Sequence, residues 1–320
     1  MPSVLFSSNT LGLPVRGVFV EADASDGGVN LFAKLLFRIA LLLLIVTLVT
    51  SAASAQQRAP QPTEAKEIRL EHPWGRFPVG SWKRVRVRTE MLDAKGTVNE
   101  TSTTETTTTL VKVNDDCFTL KAEVTVEVAG KLFSADPKFL VQGYYGQPCE
   151  NPVTIVKQGA NEFLLNGRRV PTEVRSVSFK EGEGKHVSTI EFAEDTTPTV
   201  LHRRTQLLNG NGEPTGVAAV VEVIAVDMPC KVLTEMKSCW HVKTLQTSEK
   251  RATVTVEVHC RDIPGGLISH ASKTLDETGQ PTQRSTLELV DYGIGDGNAE
   301  VPQTSRRRIF QRHRGRDSRR

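Results

Sequence analysis

The chain has 320 residues, 38% hydrophobic and 24% charged, which fits one large or two small folded domains. Its formal net charge of +3 is unevenly placed. The last sixteen residues hold eight Arg and one Asp, and the first 55 are neutral, which leaves the body at −4 and argues against a basic, nucleic-acid-binding body.

Lys34 and Arg38 flank the entry to an apolar run, Ile39 to Val46, and small residues follow it to Ala53-Ser54-Ala55. That order of basic, apolar and Ala-x-Ala segments describes a secretory signal peptide with Gln56 as the mature N-terminus. A transmembrane anchor is the alternative, but the run is short for a span and no basic stop-transfer cluster follows. Residues 1–30 precede this signal, either as an extension or because the start is assigned too early. Residues 56–73, with Pro60 and Pro62, read as a polar linker. Packing is expected from Trp74 and Trp82 onward. A first β region is expected over 74–198, a second over 199–293, and a disordered basic tail over 294–320.

Three loops share one phrase: Asp93-Ala94-Lys95-Gly96, Asn209-Gly210-Asn211-Gly212 and Asp276-Glu277-Thr278-Gly279. Asx side chains fold onto their own backbone and Gly accepts positive φ, so each predicts a four-residue hairpin loop. Asn166-Gly167 predicts a type I′ turn. Alternation from Lys83 to Met91 predicts a strand. Folding it back over Asp93–Gly96 sets Arg84 opposite Glu105 and Val87 opposite Ser102. The Thr-rich run 101–109 reads as a solvated outer strand. Val124-Thr125-Val126-Glu127-Val128 recurs as Val254-Thr255-Val256-Glu257-Val258. The fold class is therefore all-β: an antiparallel, hairpin-rich sheet, a curved half-barrel or sandwich, with a degenerate internal repeat.

Five Cys in an exported chain predict disulfides. Pairing Cys239–Thr247 with Ala252–Cys260 puts Cys239 opposite Cys260, the first choice of bridge; Cys230–Cys239 is the rival. A metal site of Cys239, His241, Cys260 and His259 can be drawn, but alternation turns His259 away from Cys260, and no zinc-type spacing is present. No cofactor, phosphate loop or nucleophile-elbow motif is expected.

Three phrases in the second half resemble a set of uncharacterised exported bacterial β-proteins: Pro198-Thr199-Val200-Leu201, Asp262-Ile263-Pro264-Gly265-Gly266 and Leu287-Glu288-Leu289-Val290-Asp291-Tyr292-Gly293. At the level of architecture such chains look similar to periplasmic lipoprotein carriers, whose curved sheet holds acyl chains. The resembled set has no settled activity; with the signal segment, the expectation is an exported, periplasmic or secreted, envelope binding or structural protein, its concave sheet a place for an apolar ligand. That carrier reading requires a groove of roughly 300 Å³ or more. A hydrolase whose site is assembled only in the fold is the alternative, favoured by a deep pocket holding His and a carboxylate. The tail residues Arg306, Arg307, Arg308, Arg312, Arg314, Arg316, Arg319 and Arg320 are candidates for contact with an anionic envelope component, nucleic acid not being expected.

Overall fold

The computed structural model describes residues 69–128 and 130–297. The expected signal peptide and the Arg-rich tail lie outside the described residues. A helical turn and loops over 69–81 lead into fourteen strands. They are β1 (Trp82–Leu92), β2 (Val98–Val113), β3 (Cys117–Val128), β4 (Lys131–Ser134), β5 (Lys138–Gly143), β6 (Thr154–Leu165) and β7 (Arg168–Glu181). There follow β8 (Gly184–Phe192), β9 (Val200–Leu208), β10 (Pro214–Val232), β11 (Glu235–Ser248), β12 (Arg251–Cys260), β13 (Leu267–Asp276) and β14 (Pro281–Gly293).

All fourteen form one open antiparallel sheet in the order β4-β3-β2-β1-β14-β13-β12-β11-β10-β9-β8-β7-β6, with β5 also on β3. Both expected β regions thus contribute to the same sheet. The hairpin chemistry accounts for the meander. Asp93, Asn209 and Asp276 each accept two backbone N–H bonds through Oδ1, from Lys95 and Thr97, Asn211 and Glu213, and Thr278 and Gln280. Gly96, Gly212 and Gly279 close the loops at φ of 78°, 79° and 81°.

The connection from β5 to β6 shapes the whole molecule. It leaves beside β3 and rejoins at the far end of the sheet, eleven strand-to-strand steps away, with only residues 144–153 between. A flat sheet would need about 50 Å for those steps. Ten extended residues reach about 35 Å. The sheet is therefore bent, and the crossing segment touches its inner face, where Arg203 Nη2 of β9 donates to Tyr145 O at 3.4 Å. Cys117–Cys149 pins this crossing segment to the start of β3.

Paired positions trace that inner face through Val126, Thr104, Val87, Leu287, His270, Glu257, Val242 and Val223. Several expectations are corrected by this register. β2 is no outer strand: it lies between β1 and β3 with Thr104 and Thr106 buried. Arg86, not Arg84, faces Glu105, at 2.6 Å, and Val87 faces Thr104, because the loop closes with Asp93 N–H on Thr97 O and an irregularity at Met91/Leu92 adds a second residue to the shift. Val124, Val126 and Val128 point inward, whereas Val254, Val256 and Val258 point outward, so the recurring pentapeptide does not repeat structurally. For the same reason the Val85/Val87 and Val254/Val256 faces are opposite sides of one sheet and cannot bury each other.

Candidate functional site

The segment 69–81 lies across the inner face as a cap. Its turn is set by His72, whose Nδ1 accepts the backbone N–H groups of Trp74 and Gly75 at 3.2 and 3.3 Å. Burial, aided by Arg76, lowers the His72 pKa to about 3, which keeps that nitrogen an acceptor. Trp74 is seated on the turn after β12. Gly265 there has φ +70°, and a Cβ on it would stand 2.6 Å from the indole. The Gly265 N–H donates to Pro73 O at 3.0 Å. Trp82 sits on Gly293 in the same way, a Cβ falling 2.5 Å from its ring. Two of the three resemblance phrases thus provide the glycines that receive tryptophans. The third, Pro198 to Leu201, belongs to the rim of a cavity below the cap.

The cavity has room for about 30 Å³. Its floor is Arg203, Val221, Val223, Trp240, Val242 and His259, and its roof includes Glu71 and Arg76. Arg261 joins roof to rim by bonding Glu71 Oε1 at 3.2 Å and Thr197 Oγ1 at 3.3 Å. A groove for a chain-like ligand is not found there: the volume suits one or two water-sized groups.

Polar atoms are concentrated on this small space. Arg203 is buried, with Nε and Nη2 donating to Ser188 Oγ at 3.3 and 3.2 Å. Arg76 donates from Nη2 to Glu71 O and from Nε to His72 O, while its Nη1 is buried without a partner. Burial lowers the pKa of both arginines to about 10, Arg261 adding to the effect at Arg76. Both remain cations at neutral pH. His259 is 1% exposed and stacks on Trp240 with ring centroids 5.7 Å apart. Its Nε2 lies 2.9 Å from Glu257 Oε2, and its Nδ1 is buried and unpartnered.

Behind this pair the inner face carries further polar groups. Burial brings the Lys83 pKa down to about 7 despite the opposing charge of Glu257, and Lys83 Nζ bonds Leu267 O at 3.3 Å. His270 contacts Ser285 Oγ at 3.3 Å. A carrier of acyl chains would call for a continuous apolar concave face, and on this one Val87, Leu287, Val242 and Val223 share the surface with Thr104, His270 and Glu257.

The expected register of β11 on β12 is present, Cys239 lying directly opposite Cys260. Both are thiols in the structure, as is Cys230; the bond formed is Cys117–Cys149, a pairing the sequence reading did not weigh. Burial, with Cys260 and Cys230 alongside, pushes the Cys239 thiol up, and burial raises Cys260, so neither is an activated nucleophile. His259 faces inward and Cys260 outward. The sequence reading missed Arg76, Arg203 and the Glu257–His259 pair. The i, i+2 spacing of Glu257 and His259 on a strand was the signal available for the last.

No protein-family model and no curated protein matches the chain. Among solved structures the chain is similar to a candidate exported protein with a YmcC-like fold from Bacteroides fragilis, at 9% identity and TM-score 0.26, over 68% of this chain and 99% of that one. It is also similar to a candidate lipoprotein from Parabacteroides distasonis, at 10% identity and TM-score 0.27, over 66% and 95%. A third is a DUF1329 family protein from Desulfovibrio piger, at 9% identity and TM-score 0.29, over 75% and 95%. Such scores fall short of a shared overall fold.

Proposed function

We propose that the chain is an exported binding protein of the cell envelope, and that it takes a compact ligand into the capped cavity between the 69–77 segment and β9–β12. One observation carries this reading. Arg76 and His259, each with a buried polar atom that lacks a partner (Nη1 and Nδ1), belong to the lining of a space walled by Val221, Val223 and Val242. Unpartnered buried polar atoms are costly, at about 1–3 kcal/mol each, and a ligand group that pairs with them recovers that cost. A larger apolar ligand would enter only with the cap displaced. Native mass spectrometry of protein taken from its own envelope tests the reading: the expected species begins at Gln56 and carries a small adduct. A bare chain, or one retaining residues 20–50, contradicts it.

The hydrolase alternative is kept by the same pair. A histidine held by a carboxylate, with its other nitrogen free beside a cavity, is an arrangement suited to drawing a proton from water. Turnover of simple ester substrates lost in His259→Gln would favour it; binding without turnover favours the first reading.

The Arg-rich tail is proposed to contact anionic lipid or polysaccharide. Removing Ser305 to Arg320 should weaken retention on such surfaces at low salt, with the difference shrinking as salt is added. Equal retention of the two forms contradicts this.

A further inference from the structure

We propose that the capped cavity is a site for a small carboxylate, gripped by Arg76 Nη1 and His259 Nδ1 with Arg203 as a second positive group. This rests on the reading that the cavity binds a ligand, and it specifies the ligand's chemistry.

Charge is the first argument. Two guanidinium groups line a space of about 30 Å³ from opposite sides, Arg76 from the cap and Arg203 from β9. The carboxylate in the lining, Glu71, is already occupied by Arg261 at 3.2 Å. Glu257 lies behind His259 and is bonded to its far nitrogen. The cavity is therefore bordered by more positive than negative charge.

Geometry is the second. A guanidinium offers its donors in a planar fork that matches a planar carboxylate. Glu257 holds His259 Nε2, which leaves Nδ1 as the ring nitrogen for the ligand. Glu257 thus orients the ring that meets the anion. The apolar wall of Val221, Val223 and Val242 lowers the local dielectric and strengthens both contacts. The volume limits the bound group to a few heavy atoms, such as formate or the acidic end of a longer molecule.

Isothermal titration of the full chain at low ionic strength, with sodium formate and with formamide, tests this. Formate should bind at least ten-fold more tightly than formamide. Arg76→Gln should weaken formate at least ten-fold and leave formamide unchanged, and Val242→Phe should abolish both by filling the space. Equal binding of formate and formamide overturns the carboxylate assignment while leaving the cavity a binding site. Binding of neither overturns both. Formate binding that survives Arg76→Gln lies elsewhere on the surface and overturns the assignment. Should Val242→Phe fail to fold, Arg76→Gln decides alone, since Arg76 sits on the cap rather than in the sheet.

Discussion

Glu257 and His259 stand two residues apart on one strand, their side chains turned to the same buried face and joined at 2.9 Å. Removing one partner strands the other in a poorly solvated place. Glu257→Leu should cost about 3 kcal/mol, and His259→Leu added to it should recover part of that loss. Denaturant melts of the two singles and the double measure it. Strictly additive losses would show that the two groups do not form a unit.

His186 is buried against Phe179 at a ring separation of 4.5 Å, and neither ring nitrogen has a partner. Burial lowers its pKa to about 3, helped by Arg203. The unfolded chain, titrating near 6.5, binds the extra proton between those values, so stability rises with pH across that window and falls as acid is added. His72 acts in the same direction. His186→Phe should raise stability at pH 7 by about 1 kcal/mol and flatten the acid limb of a Tm-against-pH curve. An unchanged acid limb would mean that His186 is not kept neutral by folding.

Cys117–Cys149 closes a loop with a sequence separation of 32 and fixes the segment that crosses the inner face. Replacing both with Ala should cost about 3–4 kcal/mol. Cys239 and Cys260, thiols in the structure, stand opposite each other in register, and we propose that oxidation joins them: non-reducing peptide mapping of the oxidised native protein should find them linked. Free alkylation of both in oxidised native protein would contradict that expectation.

Gly265 admits the Trp74 ring where any side chain would collide with it. Gly265→Val should detach the cap, lowering hydrogen-exchange protection over residues 69–81 while the β7–β9 hairpins keep theirs. Unchanged protection of the cap would show that Trp74 does not hold it down.

What was legible in the sequence was mostly local. Asp93, Asn209 and Asp276 announce their loops because side chain, turn and Gly lie within five residues. The Cys239–Cys260 register follows from another short hairpin, turned at Glu249-Lys250. The pairing of β1 with β14 and the 144–153 crossing join residues far apart in the chain, and nothing local encodes them. The direction of Val126 against Val256 depends on how strands remote in sequence align, which alternation alone does not reveal. The cavity was illegible for the same reason: Arg76, Arg203 and His259 meet only once the cap has folded back over β9–β12.

The most direct measurement is a crystal structure of protein isolated from its own envelope, read at the space between Arg76 Nη1, His259 Nδ1 and the Val242 side chain. The account predicts density for a bound acidic group bonded to both nitrogens. Ordered water alone in that space would contradict it.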